Sequence, residues 1–253
     1  MDIFIGGALG RMGREMAKTA ADAGVRVVGG MDIAYQGQAS DFPIVTDYAQ
    51  LRQHADVWID FSRADGLPQL LAYTVAQRLP LVLCTTGYTE AEQETIAQAA
   101  QQIPILRSAN MSLGVHVLRQ LGAMAARALG PGYDVEIVEK HHRQKLDSPS
   151  GTAVMLYDAI RAERAEDAPA VFGRHARDQK RTPGEIGLHA VRGGTVTGEH
   201  EIGFYGNAEE ILLTHRAESR TLFTEGALRA ALFLAGKPAG AYSMQDVVAA
   251  MLA

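Results

Sequence analysis

The sequence predicts an α/β protein: a doubly wound parallel sheet over its first hundred or so residues, then a smaller α+β domain whose sheet is antiparallel or mixed. Three observations carry that expectation. Strand and helix signals alternate up to about Leu106, as a parallel sheet with crossover helices requires. The first strand runs straight into a glycine-rich turn, Gly6-Gly7-Ala8-Leu9-Gly10-Arg11-Met12-Gly13. Beyond about residue 112 the alternation stops, and strand signals from Ile186 to Thr214 follow one another without intervening helices.

The elements follow in order. Ile3 to Ile5 is a short apolar run of the buried-strand type, and Arg11 to Ala23 a helix after the glycine turn. Val25 to Met31 and Val57 to Phe61 are further strands, the latter carrying Trp58, and Leu67 to Gln77 is helical. Leu81 to Cys84 is a short strand, Thr89 to Gln101 a helix, and Ile103 to Leu106 another strand. Leu113 to Leu129 is a long helical pattern, Tyr133 to His142 a strand, and a helix begins near Pro149. Arg161 to Gly184 is charged, holds two prolines and is expected as an exposed excursion. Gly193-Gly194 and Gly206-Asn207 are turn-prone pairs between the later strands. Leu222 to Ala235 and Ser243 to Leu252 are the last helices, the second opened by Ser243 and Asp246 in a capping spacing.

Composition narrows the function classes. Of 253 residues, 47% are hydrophobic and 21% charged, which is ordinary globular usage and argues against disorder. A net charge of −5 supplies no global basic field for nucleic acid or an anionic membrane, so an acidic ligand must meet a local basic cluster. The single cysteine, Cys84, fits a reducing compartment. The N-terminus lacks the basic and apolar regions of a signal peptide, and no apolar run approaches a membrane span of ~20 residues. A soluble, cytoplasmic protein is expected.

Glycines after the first strand allow a tight turn and bring backbone N–H groups close to a pyrophosphate at the helix N-terminus, where the helix dipole favours an anion. The spacing is a variant of the common dinucleotide motif, and a glycine-rich strand–helix turn is sometimes purely structural. Context favours a cofactor site: a second strand ends at Asp32, about twenty residues on, where a carboxylate accepts hydrogen bonds from ribose hydroxyls. Ile33, not a cation, follows. The expected cofactor is NADH and/or NADPH, with a tilt toward NADH, because a 2′-phosphate would sit beside a carboxylate. Arg11 and Arg14, in the first turn of the helix, are the cations available to such a phosphate.

The second informative stretch is Glu139-Lys140-His141-His142-Arg143-Gln144-Lys145-Leu146-Asp147-Ser148-Pro149-Ser150-Gly151-Thr152-Ala153. If both histidines lie on the strand they point to opposite faces. A helix opening at Ser-Pro-Ser-Gly-Thr offers free N–H groups and the Ser150 and Thr152 hydroxyls to a carboxylate or phosphate, with Lys145 and His142 adding positive charge. The plainer alternative is a solvated basic turn before a well-capped helix. Two histidines and a lysine in a chain with a cofactor domain favour the site. A metal is not expected, since no cysteine or carboxylate cluster at ligand spacing accompanies the histidines.

Together these segments resemble the 4-hydroxy-tetrahydrodipicolinate reductase (dihydrodipicolinate reductase) family over essentially the whole chain. The likeness lies in Gly7-Ala-Leu-Gly-Arg-Met-Gly13, Ile59-Asp60-Phe61-Ser62, Cys84-Thr85-Thr86-Gly87-Tyr88 and Ser108-Ala109-Asn110-Met111-Ser112-Leu113-Gly114-Val115. Its most specific part is the Glu139 to Ala153 stretch, and Gly184-Glu185-Ile186-Gly187, Val191-Arg192-Gly193-Gly194 and Gly198-Glu199-His200 continue it. The resemblance implies a Rossmann-like dinucleotide-binding domain over residues 1–112 and a substrate-binding and oligomerisation domain over 113–221. It also implies C-terminal helices, 222–253, that return to the first domain, and assembly as a homotetramer.

By the same likeness Gly7, Ala8, Leu9, Gly10, Arg11, Met12, Asp32, Cys84, Thr85, Thr86, Ser108, Ala109, Asn110 and Met111 line the dinucleotide. His141 is the catalytic acid/base and Lys145 the proton donor, while His142, Gly151 and Thr152 hold a carboxylate of a small dicarboxylate substrate. Two positions depart from many relatives: Ile33 stands where a cation is frequent, and Cys84 where a glycine or another small residue is common. The implied reaction is hydride transfer to a carbon conjugated with a ring C=N, in lysine and diaminopimelate biosynthesis, with the proton supplied by Lys145 or His141. Closure about hinges near residues 112 and 220 is an expected motion. Two other readings remain: a different two-domain nicotinamide dehydrogenase, which leaves the His-His-x-x-Lys stretch unexplained, and a non-catalytic dinucleotide sensor.

Overall fold

A computed structural model describes residues 1–164, 168–175 and 177–252. The chain divides into two compact units, one of Met1–Leu113 with the segment from Thr221 onward, the other of Gly114–Arg220.

In the first unit the strands are β1 (Asp2–Gly6), β2 (Arg26–Met31), β3 (Ile44–Val45), β4 (Val57–Asp60), β5 (Leu81–Leu83) and β6 (Pro104–Arg107). The helices are α1 (Arg11–Asp22), α2 (Leu67–Ala76) and α3 (Glu90–Ala99). The segment after Thr221 adds α6 (Thr221–Leu234), β12 (Gly240–Tyr242) and α7 (Met244–Leu252). One sheet results, in the order β12-β6-β5-β4-β1-β2-β3, parallel at every pairing. Strand alternation sorts its side chains onto two faces. Ile3, Ile5, Val57, Ile59 and Val82 pack with Met16 of α1, Ala227 and Leu234 of α6 and Val247 of α7. Phe4, Trp58, Leu81, Leu83 and Ile105 pack with Leu70 of α2 and Ile96 of α3. Because every strand runs the same way, the turns after β1, β2, β4, β5 and β6 all leave one edge of the sheet. The order reverses at β1, with β2 on one side and β4 on the other; ligands bind open α/β sheets in the crevice at such a reversal.

The second unit holds α4, which begins at the boundary (Leu113–Leu129), then β7 (Asp134–His141), α5 (Gly151–Arg161), β8 (Ala170–Phe172), β9 (Ile186–Arg192), β10 (Gly198–Tyr205) and β11 (Glu210–Ala217). The sheet order is β11-β10-β7-β9-β8: β7 is antiparallel to β10 and parallel to β9, so the sheet is mixed. Val135 and Ile137 of β7, Ile186 and Leu188 of β9, and Ile202 and Phe204 of β10 form its apolar core with Leu118 of α4 and Leu156 and Ile160 of α5.

One element corrects the sequence reading. Of Arg161 to Gly184, expected as an exposed excursion, Arg161 ends α5 and Ala170–Phe172 is an edge strand parallel to β9, with Ala168 buried in the core. Most of the segment's other described residues are exposed, as expected, but the charges are paired: exposed Arg174 holds Glu136 and Glu185, and half-buried Arg181 holds Glu136 and Asp134. Residues 165–167 and 176 of that segment lie outside the described residues. The strands β3 and β12 were also absent from the sequence reading; two or three residues show no periodicity.

Candidate functional site

The glycine turn after β1 is shaped by close backbone approach. Gly7 has φ +68°, and a Cβ there would lie 2.7 Å from the Phe61 carbonyl oxygen. A Cβ on Gly13 would lie 2.2 Å from the Gly7 oxygen and 2.8 Å from Ala8 Cα, so only hydrogen fits. Gly10 caps α1 without a side chain, and its N–H donates to Gly7 O (3.0 Å). The helix therefore presents its first-turn N–H groups with no side-chain cap, the arrangement that receives a pyrophosphate.

Asp32, just past β2, is tied to that turn. Its Oδ2 accepts from Leu9 N–H (2.9 Å) and its Oδ1 from Ala34 N–H (2.9 Å). Each carboxylate oxygen keeps acceptor capacity for a ribose hydroxyl. A cavity of about 220 Å³ opens here, lined by Gly7, Gly10, Asp32, Ile33, Phe61, Ser62 and Arg63 among others. Its place at the sheet reversal and its size suit an adenosine. Ile33 is 78% exposed at its rim. Of the two cations considered from sequence, Arg14 donates from Nε to Leu9 O (2.9 Å), and Arg11 is exposed. Arg63, which the sequence reading did not single out, lines the cavity from the β4 side and pairs with Asp65 at 3.4 Å.

Along the same edge, buried Asp60 at the end of β4 joins two neighbouring turns. Its Oδ2 accepts from Ser62 Oγ (3.0 Å) and Thr85 Oγ1 (2.9 Å), while its backbone oxygen accepts from Cys84 N–H (3.0 Å). Burial pushes the Asp60 pKa up despite these donors. Burial likewise raises the Cys84 thiol well above its ordinary range, with the Asp60 carboxylate adding to it, which favours the neutral thiol over a thiolate. After β6, Ser108 Oγ donates to Asn110 O (2.6 Å), and Asn110 Oδ1 accepts from Ser112 N–H (2.8 Å). A Cβ on Gly226 of α6 would lie 1.7 Å from Met111 O, so α6 presses against this turn. The dinucleotide residues expected from sequence thus lie on turns at one edge of one sheet.

In the second unit, β7 ends at His141, and His142 has already left the strand. The inner face of the sheet changes character along its length: Val135 and Ile137 are apolar core, whereas Glu139 and His141 continue the same face as polar groups. Register sets His200 of β10 opposite Glu139 and Arg192 of β9 opposite His141. Helix α5 begins at this polar end. Its N-cap Ser150 accepts from Ala153 N–H (3.1 Å) and contacts His200 Nε2 (2.8 Å).

Glu139, fully buried, is the centre of the cluster. It receives Arg192 in a two-pronged pair (2.7 Å to each oxygen), lies 2.6 Å from His141 Nδ1, and accepts from Ser150 N–H (3.0 Å). Burial opposes its ionisation, but Arg192, His141 and Ser150 outweigh it and hold its pKa below the ordinary glutamate range. For His141 burial wins and lowers the pKa against the pull of Glu139, with Lys145 and Arg192 adding to the decrease. His200 is lowered to about 4 by burial and by the neighbouring His141. Lys145 Nζ pairs with Asp147 (2.9 Å); that bond first, with the Gly151 amide helping, keeps the Asp147 carboxylate acidic. An internal carboxylate thus already lies against the N-terminus of α5. His142 Nδ1 is buried without a hydrogen-bond partner. Among the described residues no group of three His, Cys, Asp or Glu is placed to hold a metal ion.

The expected His141, His142, Lys145, Gly151 and Thr152 fall at one end of one unit. Sequence reasoning assigned no role to Glu139, Arg192 and His200. Glu139 was within reach, since it lies two residues before His141 on a strand and so shares its face. Arg192 and His200 were not, because strand pairing alone brings them in.

The family model described as "Dihydrodipicolinate reductase, N-terminus" matches residues 1–111, and that described as "Dihydrodipicolinate reductase, C-terminus" matches residues 114–248. The 4-hydroxy-tetrahydrodipicolinate reductase of Caldanaerobacter subterraneus subsp. tengcongensis is 45% identical over 97% of this chain and 97% of its own. That of Clostridium tetani is 42% identical over 96% of this chain and 94% of its own. Among solved structures, the dipicolinate-bound dihydrodipicolinate reductase of Paenisporosarcina sp. TG-14 aligns over 97% of this chain and 98% of its own, with TM-score 0.82 at 22% identity. A probable dehydrogenase of Thermotoga maritima shares the fold more distantly, with TM-score 0.61 at 12% identity.

Proposed function

The chain belongs to the dihydrodipicolinate reductase family, and from that premise we propose that it reduces 4-hydroxy-tetrahydrodipicolinate to tetrahydrodipicolinate with NADH and/or NADPH, in lysine and diaminopimelate biosynthesis. The observation that carries the reading is the gathering of His141, His142 and Lys145 at the N-terminus of α5, beside a carboxylate, in a chain whose other unit has a dinucleotide turn. A different two-domain nicotinamide dehydrogenase accounts for the dinucleotide turn but leaves the His-His-x-x-Lys to Ser-Gly-Thr segment unexplained, and a dinucleotide sensor needs no proton donor.

Residues 1–112 and 222–253 bind the dinucleotide, and residues 113–221 bind substrate. Gly7 to Met12 receive the pyrophosphate, Asp32 the adenosine ribose, and Cys84, Thr85, Thr86 and Ser108 to Met111 the nicotinamide end. When bound, the reduced nicotinamide supplies the hydride. The chain's own residues do the rest. Gly151 and Thr152 offer N–H groups to one substrate carboxylate, with His142 beside them, and so fix the ring. Asp147, which takes this position internally, yields it to the substrate. Lys145 or His141 delivers the proton that the reduced ring requires, a contribution of ~10²–10⁴-fold. Burial, against the pull of Glu139, lowers the His141 pKa and favours its neutral ring.

Ile33 beside Asp32 favours NADH, since a 2′-phosphate would meet the carboxylate; Arg63 at the cavity is the cation that keeps NADPH usable. We place the enzyme in the cytoplasm, in line with its single cysteine, and no described helix is long and apolar enough to cross a membrane. A homotetramer is part of the proposal. The sheet face that carries Val138, Val191 and Leu212, opposite α4 and α5, is its assembly surface; Val191 and Leu212 are 48% and 46% exposed.

The test is absorbance decay of the reduced nicotinamide, with substrate generated in situ from pyruvate and aspartate semialdehyde by the preceding synthase. Oxidation of NADH, faster than that of NADPH, is expected. Measurable cofactor binding with no oxidation of either would sink the assignment.

A further inference from the structure

Glu139 connects three parts of the second unit that chemistry requires to be held together. On β7 it shares the inward face with His141 and meets its Nδ1 at 2.6 Å. At the start of α5 it accepts from Ser150 N–H at 3.0 Å, one residue before Gly151 and Thr152. From β9 it takes both Nη atoms of Arg192, whose Nη2 also donates to Asp147 O (2.7 Å) in the Lys145–Ser150 turn. All of the carboxylate is out of water, and a lone buried carboxylate is strongly disfavoured. Arg192 offsets that cost, and only then can Glu139 serve as a fixed acceptor for the other two groups.

We propose that Glu139 is the positioning residue of this site: neutralised by Arg192, it holds the His141 ring and the carboxylate-binding start of α5 in one fixed frame. The inference rests on the reductase reading above and deepens it. Accepting at Nδ1 selects the tautomer in which His141 Nε2 is unprotonated, so Nε2 accepts a proton and, once it carries one, can pass it on. The Nε2 edge faces Gly198 of β10: a Cβ on that glycine would lie 3.1 Å from it, so a larger residue would crowd the working edge of the ring. The groups facing His141 are therefore Glu139 on its own strand, Arg192 from β9, His200 from β10 (ring centroids 5.1 Å apart) and Lys145 from the turn before α5. Glu139 alone among them favours the protonated ring.

The experiment compares the wild-type enzyme, Glu139→Gln, and the double variant Glu139→Gln/Arg192→Gln, by steady-state kinetics across pH, NADH affinity and thermal unfolding. The single variant is expected to lose kcat on the order of 10²-fold, the low end for a positioned acid–base group, with NADH affinity within about twofold of wild type. Its pH–rate limb that reports His141 moves to lower pH, because Arg192 and Lys145 remain while the counter-charge is gone. The single variant also leaves Arg192 unpaired; the double variant removes that charge and is expected to regain thermal stability while staying slow. A single variant with wild-type kcat and an unmoved limb overturns the proposal. So does a double variant that regains both stability and turnover, since the pair would then be structural only. A wild-type enzyme without reductase activity would instead sink the functional reading itself.

Discussion

The two sites are built from different material. The glycine turn of the first unit is backbone: Gly7, Gly10 and Gly13 work by lacking side chains, and even Asp32 spends its carboxylate on the Leu9 and Ala34 amides. The cluster of the second unit is side chain. Glu139 and His141 come from one strand, Arg192 and His200 from its two neighbours, and Ser150 from a helix cap. A backbone site is contiguous in sequence and carries little charge of its own, so it suits a ligand common to many enzymes. A side-chain site can be tuned in charge and tautomer, which proton transfer demands, but only by burying ionisable groups that then depend on one another.

The largest effect that would sharpen this contrast is chemical. Lys145→Ala should lower kcat by ~10²–10⁴-fold, equivalent to about 3–5 kcal/mol, while NADH binding by fluorescence titration stays unchanged. A variant that loses both together would mean that the two sites do not divide the work as proposed.

Acid should separate the units next. His200 has its folded pKa depressed to about 4 from 6.5. Between those values the unfolded chain binds the extra proton, so this histidine costs the folded state progressively more as pH falls from about 6.5 to about 4. The cost approaches about 3 kcal/mol at the low end, from 1.36 kcal/mol per unit. Glu139, whose pKa is also depressed, acts in the same direction but below the ordinary glutamate range. Protection factors of the β10 amides, in which the intrinsic slowing of exchange in acid is divided out, should therefore fall on acidification before fluorescence of Trp58, the single tryptophan, reports any change in the first unit. Simultaneous transitions, unaltered in His200→Asn, would count against a His200-driven loss.

The smallest effect lies in the backbone site. Gly13→Ala forces a Cβ to within 2.2 Å of Gly7 O, and relieving that clash should cost roughly 1–3 kcal/mol. The change should appear as weaker NADH binding and a lower Tm, with exchange protection in β7, β9 and β10 unaffected. Wild-type affinity would show that the turn has slack the geometry does not suggest.

Much of this was legible along the chain. The glycine turn, the strand ending at Asp32, the basic stretch from Glu139 to Ala153 and the helix start at Ser150 are local patterns, and each stands in the structure near where its residues placed it. The stretch from Arg161 to Gly184 showed its charges but not their partners: Glu136 and Glu185 meet Arg174, and Glu136 meets Arg181, only through the tertiary fold. Short strands were illegible for another reason. β3, β8 and β12 are strands only because an open sheet edge supplies the pairing that two or three residues cannot specify alone.

By itself, then, the sequence determined the glycine turn after β1 and the capped start of α5, because backbone turns and helix caps are set by neighbours within a few positions. Tertiary structure alone decided which charges the site residues feel. Glu139 meets Arg192 across 53 positions and Ser150 meets His200 across 50, through the register of a mixed sheet. Register is fixed by which face of each strand must be buried, and that is settled only when all the strands and helices are packed together.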